Sequence, residues 1–261
     1  MAPTTVDGLD IDDATIDGTE VSEITVDGNV VFKAGPDIPD SVTDQFTAQS
    51  FAKPWPNEIP DSNSMSVEGL SEDPDWIDNN PGVEGDGVDD FGYSDLQFDP
   101  AATEAWSVAL TIETEDSGRP MGEINVGGDD FIFIVDLDTR AAGEMAFRWR
   151  SNNDEIVIGT NEQVDDGEVH AIVINKRSDS ADDIEIYVDD MSNNLAIVDT
   201  DESPDSGSYA EDPSDIGFFA VNERGSGSSF TQCTCGSFEF NSEPFTEQER
   251  NGFVSRRPEV S

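Results

Sequence analysis

Met145-Ala146-Phe147-Arg148-Trp149-Arg150 alternates apolar with small or charged residues. In an extended chain Met145, Phe147 and Trp149 share one side and Ala146, Arg148 and Arg150 the other. A helix would scatter the same six around its circumference, so the pattern specifies a half-buried strand. Working outward, Ser107–Thr114 (SVALTIET) repeats it with Val108, Leu110 and Ile112. Phe131–Leu137 is an almost unbroken apolar run, suited to a central strand. Further strands are predicted at 155–159, 169–175, 184–189, 195–199, 216–221 and 237–241. Turn clusters separate them at the spacing of an all-β sandwich. Composition agrees, since 39 Ile and Val and 15 Phe stand against six Leu. β-branched and aromatic residues favour strands, and Leu favours helices. Near the end, Thr246 and Glu249 have capping-box spacing, which predicts a short helix to Val254.

Residues 41–90 lack this periodicity and are rich in Pro, Asn and Asp. They carry scattered anchors (Phe46, Phe51, Trp55, Ile59, Leu70, Trp76, Ile77) and read as long loops wrapping a sandwich edge. Before them a motif recurs every ten residues: Val6-Asp7-Gly8, Ile16-Asp17-Gly18, Val26-Asp27-Gly28. Asp-Gly favours hairpin turns because Gly accepts positive φ. The expected organisation is a β-arm over 1–35, a Pro/Asp linker over 36–40, a sandwich over 41–255 and a tail over 256–261. An arm that small buries too little apolar area to stand alone, so a docking role is expected.

Charge narrows the setting. The chain holds 59 Asp and Glu against 12 Lys and Arg, a formal net of −47, and only three of the cations are Lys. Spread over a folded surface, the carboxylates would sit roughly 14 Å apart, each neighbouring pair repelling by about 0.3 kcal/mol in water. At about 1 M salt the Debye length is about 3 Å and this repulsion nearly vanishes. The composition therefore fits a protein of molar brine. It excludes nucleic acid and anionic lipid as partners, because the field of such a surface repels both.

No apolar stretch approaches the ~18 residues needed to cross a membrane. The N-terminal Met1-Ala2-Pro3-Thr4-Thr5 lacks the basic-then-apolar pattern of a secretion signal, which points to assembly in the cytoplasm of a host cell at high salt. Cys233 and Cys235, one residue apart, read as two thiols near a strand or as an unusual local disulfide. His170 is the only histidine and reads as structural.

Four stretches, in order, bear a resemblance. Glu84-Gly85-Asp86-Gly87-Val88-Asp89-Asp90-Phe91 resembles the opening segment of laminin-G-like, concanavalin A-like jelly rolls. Asp166-Gly167-Glu168-Val169-His170-Ala171-Ile172-Val173 resembles that family's D-G-x-W-H-x-V-A-V strand, with Val169 in place of Trp. Ile184-Glu185-Ile186-Tyr187-Val188-Asp189-Asp190 is similar to L-x-L-Y-V-D-G, with Asp190 in place of Gly. Gly236-Ser237-Phe238-Glu239-Phe240 and Phe245-Thr246-Glu247-Gln248-Glu249-Arg250 resemble the closing strand and helix. The resemblance implies an all-β jelly-roll sandwich of two packed antiparallel sheets, with the small N-terminal β-adapter and the short C-terminal helix appended. Separately, Gly18–Phe32 is similar to the adapter segments of tail, fibre and decoration proteins of tailed viruses.

Concanavalin A-like folds also include glycoside hydrolases. The nearest acid pairs here are Glu84-Gly85-Asp86, read as part of a Gly-rich turn, and Glu113-Thr114-Glu115, at a strand end. Neither sets two carboxylates on one rigid concave face at the separations hydrolysis needs, so no catalytic residue is assigned. Asp86, Asp89 and Asp90 read as a solvated acidic loop or as ligands for a hard cation. No cofactor is required; calcium, or bound potassium, sodium or magnesium, is the kind of ion they would hold. Arg148, Trp149 and Arg150 are candidates for an interface or ligand contact, or for pairing across the sheet. The expected role is a virion structural protein (capsid decoration, turret or tail fibre) of a halophilic tailed virus. It would partner itself as a symmetric homo-oligomer, other virion proteins and, through the jelly roll, a host-surface glycan. The alternative is a carbohydrate-binding module of a halophilic cell-surface protein.

Overall fold

The computed structural model describes residues 5–6, 9–10, 15–16, 19–20, 23–26, 29–33, 41–77, 80–96, 105–125, 131–137, 143–151, 154–178, 183–198, 215–223 and 227–255. The chain forms two compact units, Met1–Ile38 and Pro39–Ser261. In the first, three antiparallel pairs flank the three Asp-Gly dipeptides. They are β1 (Thr5–Val6) with β2 (Leu9–Asp10), β3 (Thr15–Ile16) with β4 (Thr19–Glu20), and β5 (Glu23–Val26) with β6 (Asn29–Lys33). The dipeptides themselves, the 36–40 linker and the 256–261 tail lie outside the described residues.

The second unit is a jelly-roll sandwich. Its seven-stranded sheet runs β18 (Ile184–Val188), β17 (Val169–Lys176), β12 (Trp106–Glu113), β23 (Gln232–Asn241), β10 (Asn80–Asp86), β9 (Ser71–Ile77), with β7 (Val42–Thr47) also paired to β23. The ten-stranded sheet runs β19 (Ile197–Val198), β16 (Asp154–Gln163), β15 (Glu144–Ser151), β14 (Phe131–Asp136), β13 (Met121–Asn125), β20 (Asp215–Phe218), β11 (Phe91–Asp95), β8 (Ser66–Glu68). β21 (Val221–Glu223) lies parallel to β13 and pairs with β22 (Gly227–Ser228).

The alternation that identified β12 and β15 is the core itself. Val108, Leu110, Ile112, Met145 and Phe147 are fully buried and Trp149 nearly so. Aromatic rings join the sheets. Phe218 of β20 meets Phe238 of β23 edge-on at 4.7 Å, and Trp106 of β12 lies 5.5–5.6 Å from Phe133 and Phe147. Edge-on pairs at such spacing add about 0.5–1.5 kcal/mol each to the burial of their area.

Residues 41–90 are not loops throughout. They supply β7, β8, β9 and all of β10, and Phe46, Trp55 and Leu70 are fully buried. The reason the pattern hid them is local. β10 reads Asn-Pro-Gly-Val-Glu-Gly-Asp, with a register shift between Asn80 and Gly82, and its inward positions are Val83 and Gly85. A Cβ on Gly85 would fall 2.8 Å from the Phe219 ring, so the inward slot is filled from the opposite sheet. The predicted strand 216–221 is two strands, β20 and β21, broken at Phe219, which has φ of 64°.

The helix α1 (Glu247–Ser255) is where the capping box placed it: the Thr246 N–H donates to Glu249 and the Glu249 N–H to Thr246 Oγ1. Phe253, with Phe245 just before the helix, packs on Val42, Ala109, Ala171, Val173 and Tyr187, covering one end of the outer face of the seven-stranded sheet. Arg250, nearly buried, donates to the carbonyls of Met191 and Phe245 at 2.9 Å each and stacks 3.9 Å over Tyr187. Among the described residues, nothing covers the other end of that face.

Candidate functional site

At the open end β10, β23 and β12 run side by side, and Glu84, Thr234 and Glu113 stand in register across them. Val83, Cys233, Cys235 and Ile112 point into the core, so Glu84, Thr234 and Glu113 share the outer face. Two strand spacings separate the glutamates, roughly 9–10 Å between backbones. A cleft of about 660 Å³ opens here, lined also by Ser71, Asp86, Asp90, Glu115 and Gln232.

The floor beside the cleft is made of glycine. A Cβ on Gly82 would lie 2.4 Å from Thr234 Cγ2 and 2.8 Å from Trp76 Cδ2; one on Gly236 would lie 2.8 Å from Trp76 Cζ3. The half-buried Trp76 indole is therefore seated across β10 and β23 where two side chains are missing. Its Nε1–H donates to Glu113, which fixes the ring and orients the carboxylate.

The far wall is tied down by hydrogen bonds. Thr114 Oγ1 donates to the Gln232 carbonyl at 2.7 Å, the Gln232 N–H donates to Asp116 at 3.2 Å, and the Gly167 N–H donates to the Thr114 carbonyl at 3.0 Å. The 166–168 turn is held in turn by His170. Its Nε2 lies 3.0 Å from Asp166 Oδ1 and its Nδ1 2.9 Å from Asp189 Oδ2. With an acceptor on each nitrogen the ring is an imidazolium. Asp189, chiefly, raises its pKa from 6.5 to about 9 against the opposing effect of burial, with Asp166 adding to the rise. The same contact holds the Asp166 carboxyl below its usual range. Asp189 adopts φ of 57°, a conformation Asp tolerates, and its Oδ1 accepts the Ala171 N–H. His170 is thus structural, as its sequence reading has it, and it braces the cleft.

The predicted cation candidates lie at the cleft rim. Ligand atoms of Asp86, Asp89 and Asp90 lie within 4.8 Å of one another. Their oxygens are partly engaged: Asp86 Oδ1 accepts the Val88 and Asp89 N–H groups, and Asp90 Oδ2 accepts the Asp86 N–H. The Val88 N–H, foremost, keeps the Asp86 carboxyl below its ordinary range.

The second candidate group is not brought here. Trp149 is in the core, with the buried Lys176 ammonium 4.8 Å over its ring. Arg148 reaches across the sheet to Asp136 at 3.5 Å, and Arg119 donates to the same carboxylate at 3.0 Å. Arg150 pairs with Ile132 and Glu155 along the strands, and its side chain lies outside the described residues. Cys233 and Cys235 have Sγ atoms 3.9 Å apart, well beyond an S–S bond of about 2.05 Å.

In the sequence Glu84-Gly85-Asp86 reads as part of a Gly-rich turn and Glu113-Thr114-Glu115 as a strand end. The structure places Glu84 within β10 and sets all four acids around one cleft. Only the pairing of both strands to β23 reveals this, and no local signal carried it. Trp76 had been read as an edge anchor.

Comparison with known proteins gives the fold its relatives. No family model matches the sequence, and no curated protein matches it. Among solved structures, the binding domain of Paraclostridial Mosquitocidal Protein 1 is similar at TM-score 0.59 and 10% identity, over 83% of this chain and 52% of that one. A structure of botulinum neurotoxin type C, whose cell entry depends on interaction with two ganglioside molecules, is similar at 0.57 and 9%, over 83% and 51%. Domain 4 of AbnA, an extracellular arabinanase of Geobacillus stearothermophilus in complex with arabinotriose, is similar at 0.58 and 7%, over 80% and 96%. The chain spans about half the length of the toxin structures and nearly all of the arabinanase domain. At these identities the likeness is one of fold: a β-sandwich jelly roll.

Proposed function

We propose that this chain is a non-catalytic, glycan-recognising sandwich of a halophilic tailed-virus particle, carried on its N-terminal hairpin arm. The observation that carries the glycan reading is Trp76 on its glycine floor beside the Glu84–Glu113 cleft. A flat indole offers an apolar surface to the C–H face of a sugar, and convergent polar groups give orientation. Glu84, Glu113, Gln232 and Thr234 supply acceptors and donors for the hydroxyl rim. Sugar binding by the AbnA domain and ganglioside interaction by the toxin support the reading by analogy of fold. The virion setting rests on the acidity of the whole chain and on the ten-residue repeat, which forms hairpins too small to stand alone.

Binding rather than hydrolysis is favoured because Glu113 already accepts the Trp76 N–H, the role of an orienting acceptor and not of a proton donor. Two carboxylates on one face are also what a hydrolase needs, so the distinction is experimental. A neutral-glycan array in molar KCl tests the binding: signal lost in Trp76→Ala with an unchanged circular dichroism spectrum supports the cleft, and a flat array for the wild type refutes it. Release of reducing sugar from a bound glycan would overturn the non-catalytic assignment.

The similarity to AbnA domain 4, which is covered almost end to end, favours a second reading as a carbohydrate-binding module of a halophilic cell-surface protein. Immunogold labelling of purified particles at high salt separates the two. Asp86, Asp89 and Asp90 are proposed only as a candidate calcium or magnesium position at the rim.

A further inference from the structure

We infer that the ten-stranded sheet carries a second stacking platform, for an uncharged pyranose, built on Tyr93 and separate from the Trp76 cleft. It rests on the glycan reading above. In β11 the middle residue, Gly92, faces the core: a Cβ there would lie 2.6 Å from Met65 Sδ and 3.5 Å from Leu70 Cδ1. Phe91 and Tyr93 therefore face outward. Phe91 is 7% exposed and Tyr93 42%. Their rings are stacked, with centroids 5.6 Å apart and planes within 21°. Gly227 lies against Phe91: a Cβ there would fall 3.1 Å from the Phe91 ring and 2.8 Å from the Phe230 ring. Phe91 thus holds one face of Tyr93 in a fixed attitude, and among the described residues no ring is stacked on the opposite face.

The flanking strands suit a sugar. Tyr93 stands opposite Gly217 of β20, which has no side chain to cover the ring. On its other side it stands opposite Ser66 of the edge strand β8, and Phe91 stands opposite Glu68. Both Ser66 and Glu68 are exposed. An apolar ring face bordered by a hydroxyl and a carboxylate matches a pyranose, whose C–H face is apolar and whose rim is hydroxyl. Ser66 and Glu68 offer hydroxyl and carboxylate acceptors and no cationic side chain stands among these residues to pair an anion, so the occupant is an uncharged sugar.

The test uses the full chain in molar KCl and titrates soluble arabinotriose and neutral gluco-, manno- and xylo-oligosaccharides, read by calorimetry and by saturation-transfer NMR. Two sugars bind per wild-type chain, one per Trp76→Ala, one per Tyr93→Ala and none to the double variant, while Tyr93→Phe keeps both. Tyr93 is outside the core, so its variants retain the wild-type dichroism. If Tyr93→Ala binds as the wild type does while Trp76→Ala loses the sugar, the second platform is wrong and the cleft stands. If the wild type binds none of these sugars, the glycan reading falls and the platform with it. If Tyr93→Ala changes only a sedimentation-measured dimer, the patch is a self-contact and the inference is overturned.

Discussion

Replacing His170 by Gln separates the clasp at Asp166 and Asp189 from everything else that titrates. The ring's pKa rises from 6.5 to about 9 in the fold. A raised cation pKa stabilises the folded state fully below 6.5 and loses that stabilisation as pH climbs through about 9. At about 1.4 kcal/mol per pKa step, the ceiling is about 3 kcal/mol. The Asp166 and Asp189 side chains are 41% and 43% exposed, so solvent and brine screen them and about 1–2 kcal/mol is expected. The assay is urea unfolding in molar KCl, buffered at about pH 6 and about pH 10, for the wild type and His170→Gln. At the lower pH the wild type is more stable by that amount; at the higher pH the two converge. Comparing the two proteins at each pH cancels every group they share. An equal gap at both pH values, or one that widens with pH, would refute the clasp. Losing it also frees the 166–168 turn, so sugar affinity at the cleft falls over the same pH window.

Three further outcomes follow from the packing and charge. Gly82→Ala drives a Cβ into Thr234 and Trp76, and costs about 1–3 kcal/mol in a urea melt while lowering sugar affinity, because the indole must lift. Phe218→Ala empties the junction where Phe46, Phe238 and Phe240 meet; it lowers unfolding free energy by about 3–5 kcal/mol without touching the cleft. Raising KCl from millimolar to molar increases the melting temperature steeply, as counterions screen a net −47; a melt indifferent to salt would remove the halophilic setting.

The sandwich was legible wherever the inward positions carry large apolar side chains. Val108, Leu110 and Ile112 in β12, and Met145, Phe147 and Trp149 in β15, declare their faces with no knowledge of the partner strands. β10 does not, because Phe219 of the opposite sheet occupies the space at Gly85 and Trp76 lies across Gly82. β9 carries Pro74 and three acids, which reads as loop although an edge strand tolerates both. The site was less legible than the fold. Glu84 and Glu113 become neighbours only through Thr234, distant from both in sequence. The Asp86-Asp89-Asp90 group was visible because it is local. Arg148 and Trp149 were visible as chemistry but fall to opposite faces of one strand, one paired with Asp136 and the other in the core.

The central claim is that a sugar ring stacks on Trp76 with its hydroxyls directed to Glu84 and Glu113. The direct measurement is a crystal structure grown in molar salt and soaked with arabinotriose or whichever neutral oligosaccharide the array selects. The account predicts sugar density parallel to the outer face of the Trp76 indole, within hydrogen-bond distance of both carboxylates. Density for the sugar elsewhere on the sandwich, with the indole face bare, would contradict it.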